Sequence, residues 1–141
     1  MIQSEAGKTL RELESWLERD DWLAMRAVAA GVAEPALVKD HTVAERALDL
    51  HRKILSWIAS AGQREEAEFR ALRQTLGYSL SVVVKELPKE GFGYLRQIAR
   101  GSDPDLKWIV KENLKKDRLV KNFPDEVKAV AKLLSLVGIT A

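Results

Sequence analysis

Apolar residues recur along this chain at steps of three and four, the spacing that gathers one face of an α-helix. Leu10, Leu13, Trp16 and Leu17 form the first stripe, predicting a helix over residues 9–19. Thr9 and Glu12 make a Thr-x-x-Glu capping box at its start, where hydroxyl and carboxylate satisfy unpaired amides. Asp20-Asp21 opens a second helix through Trp22, Met25, Val28, Ala29 and Val32. Carboxylates suit that place because they cap free N–H groups and meet the positive end of the helix dipole. A connector at Glu34-Pro35 leads to the longest stripe, Val43, Ala47, Leu48, His51, Ile54, Leu55 and Ile58. It predicts a helix over 42–61 closed by Gly62.

Phe69, Leu72 and Leu76 predict a helix over 64–76 that Gly77 ends, with Ser79 capping another through Leu80, Val83, Val84 and Leu87. Val82-Val83-Val84 is the one run where a strand is arguable, but a lone strand has no partner, so a helix is expected. Pro88 suits the first turn of the next helix, with Phe92, Leu95, Ile98 and Ala99 inward. Gly101-Ser102-Asp103-Pro104 reads as turn, N-cap and first-turn proline for a helix reaching about Lys116. Pro124-Asp125 opens the last helix, carrying Val127, Val130, Ala131, Leu134 and Val137 and stopped by Gly138. The expectation is an all-α fold of about eight helices in one domain over residues 1–141.

Composition narrows the function classes. The chain has 141 residues, 46% hydrophobic and 31% charged, with 8 glycines and 4 prolines, which is ordinary for a folded domain. With no cysteine there is no thiol catalysis, thiolate zinc site or disulfide. The start Met1-Ile2-Gln3-Ser4-Glu5 lacks a secretory signal, and apolar runs are far shorter than the roughly 20 residues of a membrane span. A cytoplasmic protein without a membrane association is expected. The net charge of +2 divides unevenly: residues 1–70 hold 10 Lys and Arg against 13 Asp and Glu, residues 71–141 hold 13 against 8.

Three helices share a local pattern in which a capping residue precedes an aliphatic–basic pair by a six-residue step. These are Asp20 with Met25-Arg26, Ser79 with Val84-Lys85 and Asp105 with Val110-Lys111. The segments DDWLAMRAVAAGV and GSDPDLKWIVKENLKK resemble second helices of HEAT-type repeats, which carry an Asp–x–aliphatic–basic pattern after a Pro- or Asp-containing turn. The resemblance spans about residues 9–138 and implies a right-handed α-solenoid of antiparallel, armadillo-like helix pairs, used mainly as a binding scaffold. One branch, the HEAT-like alkylpurine DNA glycosylases, binds DNA in a basic groove. Its Trp- and Arg-rich helices are distantly similar to Trp22/Arg26 and Lys107/Trp108. Its catalytic residues match no motif here, so that activity is not carried over.

The sharpest candidate surface is basic. On a helix starting near Asp105, Lys107, Lys111, Lys115 and Arg118 are spaced 4, 4 and 3 and share one face. Lys121 extends the arc and Lys116 lies elsewhere. Residues 107–121 hold six bases against Glu112 and Asp117. Such a stripe is either a solvated outer face or a contact for an acidic protein or nucleic-acid phosphates. Trp108, off the apolar centre of the same helix, either seals the seam to the next helix or stacks on a partner or base. Trp16 and Trp22 are expected in the core, and Trp57 at the edge of the long helix's apolar arc.

Asn113 falls among the inward residues Leu106, Ile109, Val110 and Val120 and must find hydrogen-bond partners there. His51, on an apolar stripe with no carboxylate in register, reads as a satisfied core histidine. Glu12, Glu14, Glu18, Glu65, Glu66 and Glu68 read as solvated faces rather than acid–base groups. Glu90-Gly91-Phe92-Gly93 lacks the order of a phosphate loop. No catalytic residue, metal ligand or cofactor is indicated. The expected role is a non-enzymatic scaffold with a protein partner, the alternative a nucleic-acid-binding protein using the basic face.

Overall fold

In the computed structural model, which describes residues 5–17 and 21–140, every regular element is a helix. In chain order they are α1 (Glu5–Trp16), α2 (Trp22–Val32), α3 (Pro35–Val38), α4 (His41–Ser60), α5 (Ala67–Glu86), α6 (Pro88–Ala99), α7 (Pro104–Leu114), α8 (Asp117–Val120) and α9 (Pro124–Thr140). All 4 prolines of the chain open a helix, where the fixed φ fits and the missing N–H costs nothing. Side-chain caps start three helices, α2, α4 and the proline-opened α7. Asp21 accepts from the Ala24 amide at 2.7 Å, Asp40 from Thr42 at 2.9 Å, and Asp103 from Asp105 at 3.0 Å. Asp20 lies outside the described residues.

Helix α5 is the axis of the molecule, packed against α2, α3, α4, α6, α7 and α8. Leu76, Gly77, Ser79, Leu80, Ser81, Val82, Val83 and Val84 are all buried, and within 76–84 Tyr78 alone is exposed. That explains the β-branched triplet: other helices pack around most of this stretch, so consecutive positions are apolar. The buried residues form one cluster from Leu10 on α1 to Val130 on α9. The long stripe of α4 is buried throughout, His51 included.

Several sequence expectations are corrected. Residues 64–86 are not two helices broken at Gly77; α5 runs through Gly77 and Ser79 without interruption. Both residues serve packing instead. Trp108 of α7 lies over Gly77, where an added Cβ would already touch its ring at 3.4 Å, and Ser79 Oγ meets His51 Nε2 at 2.8 Å. Helix α1 begins at Glu5, so Thr9 lies inside it and not at its cap, and α9 continues past Gly138. The connector at Pro35 is itself a short helix, and with α8 it raises the number of described helices to nine.

The basic helix also ends early. Helix α7 stops at Leu114, Lys116 turns extended (φ −72°, ψ 134°), and α8 begins at Asp117. Leu119, not Val120, then points inward: Leu119 is fully buried and Val120 is 42% exposed. On an unbroken helix Leu119 would lie about 180° from Val110 at 100° per residue, facing solvent. Burying both leucine and valine requires the break. Trp16, expected in the core, is 39% exposed at the end of α1, because Leu13 and Leu17 already occupy the inward face.

Candidate functional site

Helix α7 is anchored at its first turn. Asp103 caps it and also receives Arg64, whose Nη1 and Nη2 donate to the two carboxylate oxygens at 2.8 Å each. Arg64 Nη1 also reaches Asp105 at 3.1 Å. Both partners are mostly shielded, which strengthens a two-pronged charged hydrogen bond. The hydrogen bond to Asp103 is the main reason the Arg64 guanidinium is held above its ordinary range. Burial alone would push the Asp103 carboxyl up; Arg64 and the Leu106 and Asp105 amides outweigh it and hold the carboxyl below 3.8.

Trp108 stands one turn further on. The Arg73 guanidinium lies over its ring, 4.2 Å from the centroid, a cation–π arrangement. Gly77 is beneath the same indole. Half-buried Trp108 thus packs in the seam between α7 and the earlier helix α5.

Lys107, Lys111 and Lys115 follow along one side of the helix and, with Pro104, Trp108 and Leu114, form one wall of a groove. The other wall is α9, contributing Val127, Ala131, Leu134 and Ser135. The groove encloses about 620 Å³ and its floor is mainly apolar. Lys107 is half-buried, so its methylene stem covers apolar surface while the ammonium stays at the rim. Lys111 and Lys115 are exposed, and Lys115 Nζ is 2.7 Å from Glu112. That pair is 60% exposed at the lysine and easily exchanged, since such surface pairs contribute about 0–1 kcal/mol.

The structure thus brings together Lys107, Trp108, Lys111 and Lys115, and sets Arg118 apart from them on α8, outside the groove lining. Lys121, also past the break, pairs with Asp117 at 3.5 Å. The α9 wall was not foreseen as part of a site. Its one advance signal was an apolar arc wider than a single packing seam, in which, among the described side chains, Val130 alone is fully buried.

His51 is fully buried. Its Nδ1 is 2.8 Å from the Ala47 carbonyl, which can only accept, so Nδ1 carries the proton. Nε2 then accepts from the Ser79 hydroxyl at 2.8 Å. Burial drives the imidazole pKa down to about 4, so the ring is neutral near pH 7 and has no solvent access. Among the described residues, no group of three or more His, Cys, Asp or Glu side chains is placed to hold a metal ion. Among them too, no helix is long and apolar enough to cross a membrane. No family model matches the chain, and no curated protein or solved structure shows a significant match to it.

Proposed function

We propose that this protein is a non-enzymatic, HEAT-like helical scaffold that takes an acidic amphipathic segment of a partner protein into the groove between α7 and α9. The observation that carries this reading is the lysine row beside an apolar floor: Lys107, Lys111 and Lys115 border Trp108, Leu114, Val127 and Leu134. An amphipathic helix with acidic residues flanking an apolar stripe meets both requirements at once. Its leucine-type side chains displace water from the floor, and its carboxylates meet the ammonium groups along the rim.

Phosphate binding is the second reading, favoured by the lysine row alone. Three lysines neutralise at most three phosphates, so log affinity would change with log salt by a slope of roughly −3, at about 0.9 per phosphate. The apolar floor contributes nothing to a sugar–phosphate backbone, which is why the acidic segment fits better.

Fluorescence anisotropy separates the two. The probes are a labelled helical peptide with Glu flanking a Leu stripe, the same peptide with Leu replaced by Ser, and a labelled DNA duplex. The expected order is Glu/Leu peptide tightest, with at least a tenfold loss for the Ser version. Equal binding of both peptides, or tighter binding of the duplex at physiological salt, overturns the proposal.

A further inference from the structure

Helices α2, α5 and α7 form a row, with α2 and α7 each packed along α5. All three run in one direction. The first turns of α2 and α5 meet through Trp22 and Phe69, ring centroids 5.2 Å apart. Along α5 and α7 the contacts advance together, from Arg73 with Asp105 at 3.5 Å to the Ser81 amide with Asn113 at 2.8 Å. Asp105 and Asn113 turn toward α5, while Lys107, Lys111 and Leu114 open on another side of α7 into the groove with α9. A helix laid in that groove extends the row by one place. We propose that its occupant is α2 of a second copy of this chain, which rests on the groove reading above and names its partner.

Helix α2 fits the groove in apolar pattern, length and charge. Its sequence, WLAMRAVAAGV, holds one charged residue, Arg26, the composition of a helix covered on every side. Its own chain covers one side. Met25, Val28, Ala29 and Val32 are buried, while Leu23 is 54% exposed, Ala30 is exposed and Ala27 is half-buried. Leu23, Ala27 and Ala30 follow at steps of four and three, so they make a second apolar stripe on the outer side. Arg26 is one turn on from Trp22 and lies toward the α5 side of that stripe. Helices α2 and α7 have 11 residues each, so neither overhangs the other when they lie alongside. Acidic residues flank α2, Asp21 before it and Glu34 just past its end, and both are exposed.

Laid parallel to α7, as the direction of the row requires, the second copy's α2 brings its leading Asp21 to the Lys107 end of the groove. Its Glu34 comes to the Lys115 end. The apolar stripe then covers Leu114, Val127 and Leu134 on the floor, and removing that surface from water drives the contact. Opposite charges at both ends select this helix over a basic one. The contact is heterologous, a groove on one copy and a helix on the next, so every added copy leaves one groove and one stripe unfilled. Assembly is therefore open-ended, and salt weakens it because the paired charges are at the rim.

Sedimentation equilibrium reads the assembly, with two variants whose folds circular dichroism verifies. Leu23→Gln/Ala30→Gln alters the stripe at exposed positions, and Lys107→Glu/Lys111→Glu alters the groove rim. The mean mass of the native protein is expected to rise with concentration past that of a dimer. It is expected to fall back in high salt and with excess Glu/Leu peptide, which competes for the groove. Each variant alone is expected to associate at least tenfold more weakly. Mixed in equal amounts, the two are expected to form a dimer and stop there, because one keeps its groove and the other its stripe. The proposal is overturned if the native protein stays monomeric up to millimolar concentration or stops at a dimer. It is equally overturned if either variant assembles as the native protein does, or if the mixture stays monomeric. Anisotropy of the Glu/Leu peptide on the Leu23→Gln/Ala30→Gln variant reads the groove alone. Peptide binding there beside a monomeric native protein removes self-association and leaves the groove reading standing.

Discussion

Asn113 of α7 hydrogen-bonds directly to the backbone of Ser81 in the middle of α5, its Oδ1 accepting from that amide at 2.8 Å. Its Nδ2 donates to the carbonyls of Leu76 at 2.8 Å and Ile109 at 2.7 Å. In a regular α-helix the Ser81 amide points along the helix toward the Gly77 carbonyl. A side chain from another helix thus reaches the backbone of the central one, at the place where Gly77, Ser79 and Ser81 lower its helix preference. Oδ1 and both hydrogens of Nδ2 are engaged in this fully buried amide, so α5 and α7 are fastened in one register.

Asn113→Leu removes all three bonds and leaves the Ser81 amide and the Leu76 carbonyl facing an apolar group. The expected loss is about 2–4 kcal/mol, since unpaired buried groups bear their full desolvation cost. Asn113→Asp keeps the acceptor, loses the donor and buries a charge, and is expected to be no better. Urea denaturation measures both; a loss below 0.5 kcal/mol for Asn113→Leu contradicts the role assigned to this side chain.

His51 makes stability depend on pH in a defined window. Its folded pKa of about 4 lies below the ordinary 6.5, so between those values the unfolded chain binds more protons. The stabilisation is complete above pH 6.5 and is lost as pH falls toward 4, by up to about 3 kcal/mol at 1.36 kcal/mol per unit. Asp103 acts lower, losing its contribution as pH falls below 3.8 through its depressed folded value. Denaturation at pH 7 and pH 4.5 should show the drop in the native protein and a smaller one in His51→Gln. Equal drops would contradict the assignment.

Two glycines of α6 should respond oppositely to alanine. A Cβ on Gly91 would lie 2.9 Å from Val84 Cα, a backbone atom of α5 that cannot step aside. Gly91→Ala is expected to destabilise by about 1–3 kcal/mol, as overpacking does. Gly93 is exposed with nothing within 4 Å of its Cβ position, so Gly93→Ala should stabilise by about 0.5–1 kcal/mol. Thermal melts of the pair settle the sign of each, and matching signs would contradict the close approach of α6 to α5.

What was legible in advance follows the range of each interaction. Proline starts and the caps at Asp21 and Asp103 involve residues two or three apart, so the local sequence suffices to place them. The α4 stripe was equally plain, because periodicity reports burial directly. Gly77 misled because its local meaning, a helix end, was overridden by Trp108 and Asn113 arriving from more than thirty residues away. For the groove, spacing placed Lys107, Lys111 and Lys115 on one side, but which helix docks opposite them is a tertiary outcome. Arg118 left the row because burying Leu119 forces the chain to turn at Lys116.

The proposed docking in the α7–α9 groove is tested most directly by exchanging charge on both sides. Lys107→Glu/Lys111→Glu alters only rim positions, and circular dichroism verifies its fold. Anisotropy is then read with the Glu/Leu peptide and with a version carrying Lys in place of Glu. The account predicts that the native protein prefers the acidic peptide by at least tenfold and that the double variant reverses the preference. A variant that still binds the acidic peptide with native affinity would contradict it.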